Sequence, residues 1–189
     1  MGQPKQLLPW EGTSILGHLT GLYRPLVHQV AVVCQPSHKA VFAELDRVGV
    51  VPDNRIINSD ANSDMFASVR LALDWNNWNP NITHVVLALV DQPQIRAATV
   101  SALIAWARAH PDHICQTEHA GRRRHPVIVP RQWIEAITHN HRFSTLHEAL
   151  TGLSANVFSL QVSDSGVDID LDTPEDYLAA QNRSPNRQP

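Results

Sequence analysis

Acidic side chains that follow apolar segments are the residues of this sequence best suited to chemistry. Asp91 comes directly after the apolar run 83–90 and precedes Gln92 and Pro93. If that run is a buried strand, the carboxylate stands at the rim of a sheet, where the proline fixes the turn and keeps Gln92 extended. Such a carboxylate can hold Mg²⁺, which prefers hard oxygen ligands and shares them with substrate phosphates. Asp91 could equally cap the helix that follows, and this segment alone favours neither role.

A second acidic group lies near the C-terminus and consists of Asp168, Asp170 and Asp172. In an extended segment, their spacing of two places all three carboxylates on one side. They would repel one another there unless a cation or solvent offsets their charge. Asp172 or Thr173 could instead cap the next helix, but that role does not account for the other two acids. Our hypothesis is a metal site built from Asp91 and one or two members of this trio.

The composition excludes several classes of protein. The chain has 189 residues, of which 43% are hydrophobic and 17% charged, and this favours one domain with a substantial core over a disordered chain. Its net charge of −3 gives no basic surface for nucleic acid. Its apolar runs are too short to cross a bilayer, and no secretory signal is visible, so we expect a cytoplasmic protein. We assign residues 1–180 to the domain and 181–189 to a polar tail.

Several common functional motifs are absent from the sequence. It contains no GxGxxG, no GxxxxGK[ST] and no GxSxG pattern, which excludes the usual dinucleotide, P-loop and nucleophile-elbow signatures. Cys34 and Cys115 cannot form a disulfide framework. Seven of the eleven histidines lie between His110 and His147, but no Cys/His spacing matches a zinc site. We interpret most of them as surface residues.

Apolar runs alternate with helical patterns along the chain. Strands are predicted at 28–35, 55–58, 83–90, 114–117, 127–129 and 156–162. Helices are predicted at 41–48, around 65–73, 100–107 and 145–153, and from 173 onward. We expect a parallel or mostly parallel sheet covered on both faces, which collects ligands at the carboxyl ends of its strands. Asp91 lies at such an end.

Five segments in order resemble the MobA-like nucleotidyltransferases, and among them most closely the molybdenum cofactor cytidylyltransferases. The first segment, MGQPKQLLPWEG, contains Lys5, to which its position near a terminus would by itself give no role. The likeness covers nearly the whole chain, through residues 1–12, 65–70 (MFASVR), 89–93 (LVDQP), 125–130 (HPVIVP) and 170–177 (DLDTPEDY).

The resemblance implies a fold and a reaction. The fold is a Rossmann-like, three-layer α/β nucleotidyltransferase (GT-A-like) fold with a mostly parallel sheet. The reaction is transfer of a nucleoside monophosphate from CTP or GTP to molybdopterin or the molybdenum cofactor, with release of pyrophosphate. Attack at the α-phosphate builds charge that Mg²⁺, the implied cofactor, and a lysine can stabilise. A molybdenum hydroxylase apoenzyme is a candidate partner, and neither nucleic acid nor a membrane is expected as one.

The resemblance also implies roles for individual residues. Lys5 and Asp91 are the catalytic pair, in which Lys5 neutralises the triphosphate and the departing pyrophosphate. Asp91 holds the metal, with Asp172 or Asp170 as the second ligand. The remaining implied contacts are to the nucleotide, from Gly2, Lys5, Ser68 and Asp91, and to the acceptor, from His125 and Pro126.

The sequence departs from the family at two places. Arg124 stands where relatives commonly have glycine, so that loop is shaped differently or carries charge toward an anionic acceptor. In the family, a central strand and a Leu-Ala-Ala-Gly-x-Ser-x-Arg loop, which wraps the triphosphate and helps to select the base, precede the first segment. Without that strand, we expect a groove between two exposed strand edges.

We hypothesise that Met1 is an internal methionine and that the native start lies upstream. We therefore expect turnover from an upstream-extended chain rather than from the 189-residue chain, since lost phosphate contacts typically cost about a hundredfold in rate. The competing idea is that the shortened chain is real and has lost catalysis. Two other functions stay open, a nucleotidyltransferase acting on a sugar phosphate or another small molecule, and a non-catalytic nucleotide-binding or cofactor-delivery protein.

Overall fold

Seven α-helices and eight β-strands make up the part of the chain that the computed structural model describes, residues 4–60 and 62–183. The strands are Pro9–Trp10 (β1), Thr13–Ser14 (β2), Val32–Cys34 (β3), Arg55–Ile57 (β4), His84–Leu87 (β5), Ile114–His119 (β6), Arg122–Pro130 (β7) and Val157–Gln161 (β8). The helices are Ile15–Tyr23 (α1), Lys39–Arg47 (α2), Met65–Leu73 (α3), Ala97–Ala109 (α4), Ile134–Thr138 (α5), Leu146–Gly152 (α6) and Pro174–Arg183 (α7).

The larger strands form two separate sheets. β3 and β4 make a parallel pair, whereas the second sheet has the order β5-β7-β6-β8. In this second sheet, β7 is antiparallel to both of its neighbours, and β6 and β8 are parallel. The α/β class is therefore confirmed, but the sheet is mixed rather than mostly parallel.

A tight turn explains why β6 and β7 are antiparallel. β6 and β7 are joined through Ala120 and Gly121, which both have positive φ, 48° and 74°. Two adjacent residues with positive φ form the kind of turn that links hairpin strands, and a two-residue connection can only join antiparallel strands. The predicted strands 114–117 and 127–129 are thus parts of one hairpin that continues through the intervening residues.

Helices cover both faces of the sheet, which gives three layers. Val85 and Leu87 of β5 pack in a cluster with residues of α3 and α6. Val86, which points to the opposite face, packs against a cluster that contains Leu103 of α4. The sequence also sets the helix ends, as at α6, where Thr145 accepts a hydrogen bond from the Glu148 N–H and completes the predicted capping box.

Two strands are shorter than predicted because only part of each has a ladder partner. The predicted strands 28–35 and 83–90 reduce to β3 and β5. Between these two strands lies a cavity of about 470 Å³. At the other end of the chain, α7 continues to Arg183, so the first residues of the predicted tail 181–189 are helical.

Within the described residues, no helix is both long enough and apolar enough to span a membrane.

Candidate active site

The site forms where the loop after β5 meets the segment before α7. The Leu171 N–H donates to the carbonyl oxygen of Asp91 over 2.9 Å, and the Leu171 side chain is fully buried. The buried Gln92 donates from Nε2 to Asp170 Oδ1 over 2.7 Å. These two contacts hold residues 91–92, after β5, against residues 170–171, before α7. As a result, Asp172 lies beside Asp91.

Lys5 joins the two carboxylates. It begins a 3-10 turn, Lys5–Leu7, that carries the chain toward the buried Leu8. Its Nζ lies 3.3 Å from Asp91 Oδ2 and 3.0 Å from Asp172 Oδ1. The structure thus brings together three residues that are far apart in sequence and that the resemblance placed at one site.

The carboxylates keep Lys5 charged. Burial lowers the pKa of Lys5, but the hydrogen bond to Asp172 and the charge and hydrogen bond of Asp91 outweigh that effect, so the net pKa is raised. Lys5 is therefore an ammonium throughout the neutral range. The site holds a fixed positive charge between two negative ones.

Asp91 has the features of a cation ligand. Its Oδ1 atom is buried and has no hydrogen-bond partner in the described part of the chain. A buried carboxylate oxygen without a partner costs free energy that a hard cation would remove. The side chain of Asp172 is 69% exposed, so it is free to turn toward such a cation.

The protein supplies two carboxylates rather than a complete metal cage. Among residues 4–60 and 62–183, no group of three or more His, Cys, Asp or Glu side chains could hold a metal ion. Ions of the Mg²⁺ type commonly take one or two carboxylates and complete their shell with water and substrate phosphates. Asp91 and Asp172 therefore fit a divalent cation that is shared with a phosphorylated substrate.

The three C-terminal acids have different partners, so the expectation that they face one side is wrong for Asp168. That residue ends a 3-10 turn, Ser165–Asp168, and the extended spacing does not apply to it. Its carboxylate binds His119 and Arg124, which lower its pKa, with the His119 hydrogen bond as the larger cause. Asp168 is consequently tied to the β6–β7 hairpin and not to the Lys5 site.

His125 lies near the acidic site as a neutral imidazole. Its Nδ1 lies 3.4 Å from the carbonyl oxygen of Leu87. Burial lowers the pKa of His125, and the Leu87 carbonyl and the charges of Asp91 and Asp170 oppose this shift only in part. Pro126, joined to it by a cis peptide bond, is buried, so His125 is the member of the pair with atoms open to a ligand.

Of the other two predicted nucleotide contacts, only Ser68 lies within the described residues, and it does not join this cluster. Gly2 lies outside those residues. Ser68, on α3, accepts a hydrogen bond from Asn58 Nδ2 over 3.0 Å. Asn58 is 4% exposed and also donates to Ser63, so Ser68 belongs to a polar group at the end of β4. Ser68 and His125 both line the cavity between β3 and β5.

Three residues that position the site were missed by the sequence analysis. The buried Asp164 accepts hydrogen bonds from the N–H groups of Arg96 and Gly166, at 2.9 and 3.0 Å, and from the Thr99 hydroxyl. Gln94 donates to the carbonyl oxygen of Gly166, and Gln92 donates to the carboxylate of Asp170. The signal was present, because glutamines flank Pro93 beside a candidate metal ligand, but their partners are distant in sequence.

Known proteins resemble this chain over most of its length. It matches the MobA-like NTP transferase domain over residues 1–156. Nicotine blue oxidoreductase from Paenarthrobacter nicotinovorans is 31% identical over 136 residues, which are 67% of this chain and 62% of that protein. The match therefore spans less than two thirds of that relative's own length.

Solved structures share the fold. The crystal structure of Rv0371c from Mycobacterium tuberculosis H37Rv has a TM-score of 0.76 at 27% identity, and the match covers 96% of this chain and 90% of that one. A manganese complex of Rv0371c has a TM-score of 0.74 at 27% identity, with 96% and 93% covered. Molybdopterin-guanine dinucleotide biosynthesis protein A from Archaeoglobus fulgidus, at 14% identity and a TM-score of 0.68, shares the fold over 96% of this chain and 90% of its own.

Fold and sequence thus agree on the family that the five segments resemble. The chain belongs to the MobA-like NTP transferase domain family.

Proposed function

We propose that this protein transfers a nucleoside monophosphate from CTP or GTP to molybdopterin or the molybdenum cofactor, with Mg²⁺ as cofactor and pyrophosphate as the second product. The observation that supports this most is the position of Lys5 Nζ, 3.3 Å from Asp91 Oδ2 and 3.0 Å from Asp172 Oδ1. A lysine and two carboxylates at a strand end suit a cation and an anionic phosphate chain together.

The proposed roles follow from the charges of these residues. Asp91 and Asp172 would hold the divalent cation. Asp170 is the weaker candidate, because its carboxylate accepts a hydrogen bond from Gln92. When bound, the cation would neutralise charge on the phosphates and withdraw electrons from the α-phosphate. The Lys5 ammonium would donate to phosphate oxygens and to the departing pyrophosphate. Electrostatic stabilisation of this kind suffices where no covalent catalysis is needed.

The bond changes are a single exchange at phosphorus. A phosphate oxygen of the acceptor forms a bond to the α-phosphorus, and the bond from that phosphorus to the bridging oxygen of the β-phosphate breaks. The electron pair of the broken bond leaves with pyrophosphate, whose new charge Lys5 would offset. We assign the nucleotide side to Ser68, Gly2 and Lys5, and the acceptor side to His125 and Pro126.

Pyrophosphate release tests the proposal. The 189-residue chain and a form that begins upstream of Met1 would each be incubated with CTP or GTP, Mg²⁺ or Mn²⁺, and molybdopterin. We expect pyrophosphate only when nucleotide, acceptor and cation are all present. Asp91→Asn should abolish it, while Asp53→Asn, at an exposed acid in a surface turn, should not.

The same assay separates the competing functions. Pyrophosphate release with a sugar phosphate in place of molybdopterin would assign a different acceptor. Nucleotide binding without turnover in either form would favour a cofactor-delivery protein, for which a molybdenum hydroxylase apoenzyme is the partner to test. Since a relative is named as an oxidoreductase, the protein should also be incubated with NADH or NADPH, whose oxidation is followed by absorbance. Absence of pyrophosphate from both forms under all conditions would overturn the proposal.

A further inference from the structure

The last helix, α7, binds the N-terminal segment at one backbone atom. The carbonyl oxygen of Pro9 accepts a hydrogen bond from the Tyr177 hydroxyl over 2.5 Å and another from Gln181 Nε2 over 3.0 Å. Gln181 Nε2 also donates to the Tyr177 hydroxyl oxygen. Tyr177 and Gln181 are four positions apart, so both side chains leave the same face of α7. Their two hydrogen bonds to Pro9 form a clamp on the N-terminal segment.

The clamp does more than dock the helix. Pro9 is exposed, so water could satisfy its carbonyl oxygen without α7. Apolar packing already docks α7, because Ala180 shares a cluster with Leu8 and Trp10. Apolar packing has little directional preference, whereas a hydrogen bond restricts both distance and angle. The clamp therefore determines where the backbone at Pro9 lies relative to α7.

The same two segments meet a second time at Lys5. Pro9 follows Lys5 by four positions, and Tyr177 follows Asp172 by five. At one end of this pair of segments, Lys5 Nζ lies 3.0 Å from Asp172 Oδ1. At the other end, Tyr177 binds Pro9. The segments thus lie side by side with a contact at each end, so a shift of Pro9 along α7 would carry Lys5 away from Asp172.

A reciprocal cap at the start of α7 links Tyr177 firmly to Asp172. The Thr173 N–H donates to Asp176 Oδ2 over 2.9 Å, and the Asp176 N–H donates to Thr173 Oγ1 over 3.1 Å. Such a pair of hydrogen bonds fixes the direction in which the chain enters a helix. The position of Asp172 is therefore set by the same helix that carries the clamp.

The turn that carries Lys5 has little packing of its own. Residues Lys5–Leu7 include no buried side chain, and Leu7 packs only in part against the cluster formed by α1 and α2. The Lys5 side chain is 29% exposed, and the entropy of its rotatable bonds opposes a fixed position. Leu8, which is buried, and the clamped Pro9 come directly after this turn. The placement of Lys5 therefore depends on the residues that follow it.

We propose that Tyr177 and Gln181 are positioning residues, whose clamp on the N-terminal segment holds Lys5 against the two carboxylates of the acidic site. They act through the backbone and not on the reacting atoms. The catalytic consequence rests on the proposed function, whereas the clamp itself does not. In nucleotidyl transfer, the clamp would keep the Lys5 ammonium where charge develops on the departing pyrophosphate.

Acetylation of Lys5 tests the clamp without any nucleotide. Lys5 and Lys39 are the two lysines of the sequence, and Lys39, exposed on α2, is an internal reference within each protein molecule. Acetic anhydride reacts with the uncharged amine, which the carboxylates around Lys5 disfavour. Trace labelling at about pH 8, below the usual pKa of a lysine, followed by peptide mass spectrometry, gives the ratio of the Lys5 rate to the Lys39 rate.

Two substitutions remove the donors of the clamp. Tyr177→Phe keeps the ring, whose centroid lies 6.4 Å from that of Trp10, and Gln181→Leu removes the second donor. Asn182→Leu, at an exposed position of the same helix, is the matched control. We expect Tyr177→Phe, alone or with Gln181→Leu, to raise the acetylation ratio by about threefold or more, since a released Lys5 spends less time in its ion pairs. Asn182→Leu should leave the ratio unchanged, and an unchanged ratio in Tyr177→Phe would overturn the proposal.

A second background separates positioning from general loosening of the protein. In a chain with Asp91→Asn and Asp172→Asn, Lys5 has lost both ion-pair partners, so adding Tyr177→Phe should change the acetylation ratio little. An equal increase in this background and in the parent chain would show that Tyr177 does not act by holding Lys5 to the carboxylates, and would overturn the proposal.

Pyrophosphate release by the form that begins upstream of Met1 separates the clamp from the proposed function. Tyr177→Phe should lower kcat with little change in KM for the nucleotide, because Lys5 would offset charge that develops only in the transition state. A raised acetylation ratio without pyrophosphate from the parent form would support the clamp and contradict nucleotidyl transfer. An unchanged kcat in a variant with a raised ratio would overturn the positioning role in catalysis.

Discussion

The N–H of Leu171 donates to the carbonyl oxygen of Asp91 over 2.9 Å, and this one backbone contact sets the geometry of the acidic site. It places the residue after Leu171, Asp172, beside the residue that ends the β5 segment. Lys5 then bridges the two side chains.

Replacing Lys5 by methionine should lower kcat/KM for nucleotidyl transfer by about a hundredfold or more, because the site loses the cation that faces the phosphates. Lys5→Arg keeps the charge and should retain more activity than Lys5→Met. Lys39, the other lysine of the chain, is exposed on α2 and provides the matched control. Steady-state pyrophosphate release measures all three variants, each made in the form that begins upstream of Met1, and equal rates for Lys5→Met and Lys39→Met there would refute the role of Lys5.

The three acids Asp91, Asp172 and Asp168 should differ in their effect on cation affinity. Asp91→Asn should weaken Mn²⁺ binding most, because Asp91 Oδ1 is buried and without a partner. Asp172→Asn should weaken it less, since that side chain is exposed. Asp168→Asn should leave affinity unchanged, because its carboxylate is engaged by His119 and Arg124.

Electron paramagnetic resonance titration with Mn²⁺ gives the three dissociation constants directly, in the presence and absence of nucleotide. A loss of affinity in Asp168→Asn as large as that in Asp91→Asn would place the cation elsewhere.

Asp164→Ala should destabilise the fold by about 1–3 kcal/mol, because buried donors from Arg96, Thr99 and Gly166 would lose their acceptor. Ser165→Ala, at an exposed neighbouring position, serves as the control. Urea unfolding at neutral pH measures the difference. An Asp164→Ala protein as stable as Ser165→Ala would show that this network does not hold the loop in place.

His125 should make stability fall on acidification. Its pKa in the fold is lowered, so the neutral form is favoured there, and stability is complete above the unfolded value of about 6.5. As pH falls below that value, the unfolded chain takes up the proton more readily, and stability is lost until the folded pKa is passed. His125→Asn should therefore lose less stability than the parent chain between pH 7.5 and pH 5.

The exposed His147→Asn variant controls for the removal of one histidine. Burial also lowers the pKa of His84, but His84 is present in the parent chain and in both variants, so its contribution is common to all three. Urea unfolding free energies at the two pH values provide the comparison. Equal losses of stability on acidification in His125→Asn and the parent chain would show that His125 does not cause the acid sensitivity.

Local patterns predicted the parts of the fold that local physics determines. The apolar run before Asp91 and the capping box at Thr145 depend on neighbours in sequence, and both are present. The pairing of β7 could not be predicted in the same way. The turn at Ala120 and Gly121 makes β7 antiparallel to β6, but its pairing with β5 depends on contacts between segments far apart in sequence.

The kinds of residue that form the site could be predicted from the sequence, but their arrangement in space could not. Spacing alone gave Lys5 no role, and its contacts with Asp91 and Asp172 depend entirely on the tertiary fold. The acidic trio looked uniform in sequence, yet Asp168 and Asp170 have separate partners because a 3-10 turn interrupts the segment. Resemblance supplied what spacing could not.

The fate of labelled phosphate tests the central claim most directly. The form that begins upstream of Met1, with Mg²⁺ and molybdopterin, is given CTP or GTP labelled with ³²P at either the α- or the γ-position. We predict that the α-label moves to the acceptor and the γ-label to pyrophosphate, and that Asp91→Asn abolishes both. An α-label that stays with free nucleotide, or transfer that is unchanged in Asp91→Asn, would contradict nucleotidyl transfer at this site.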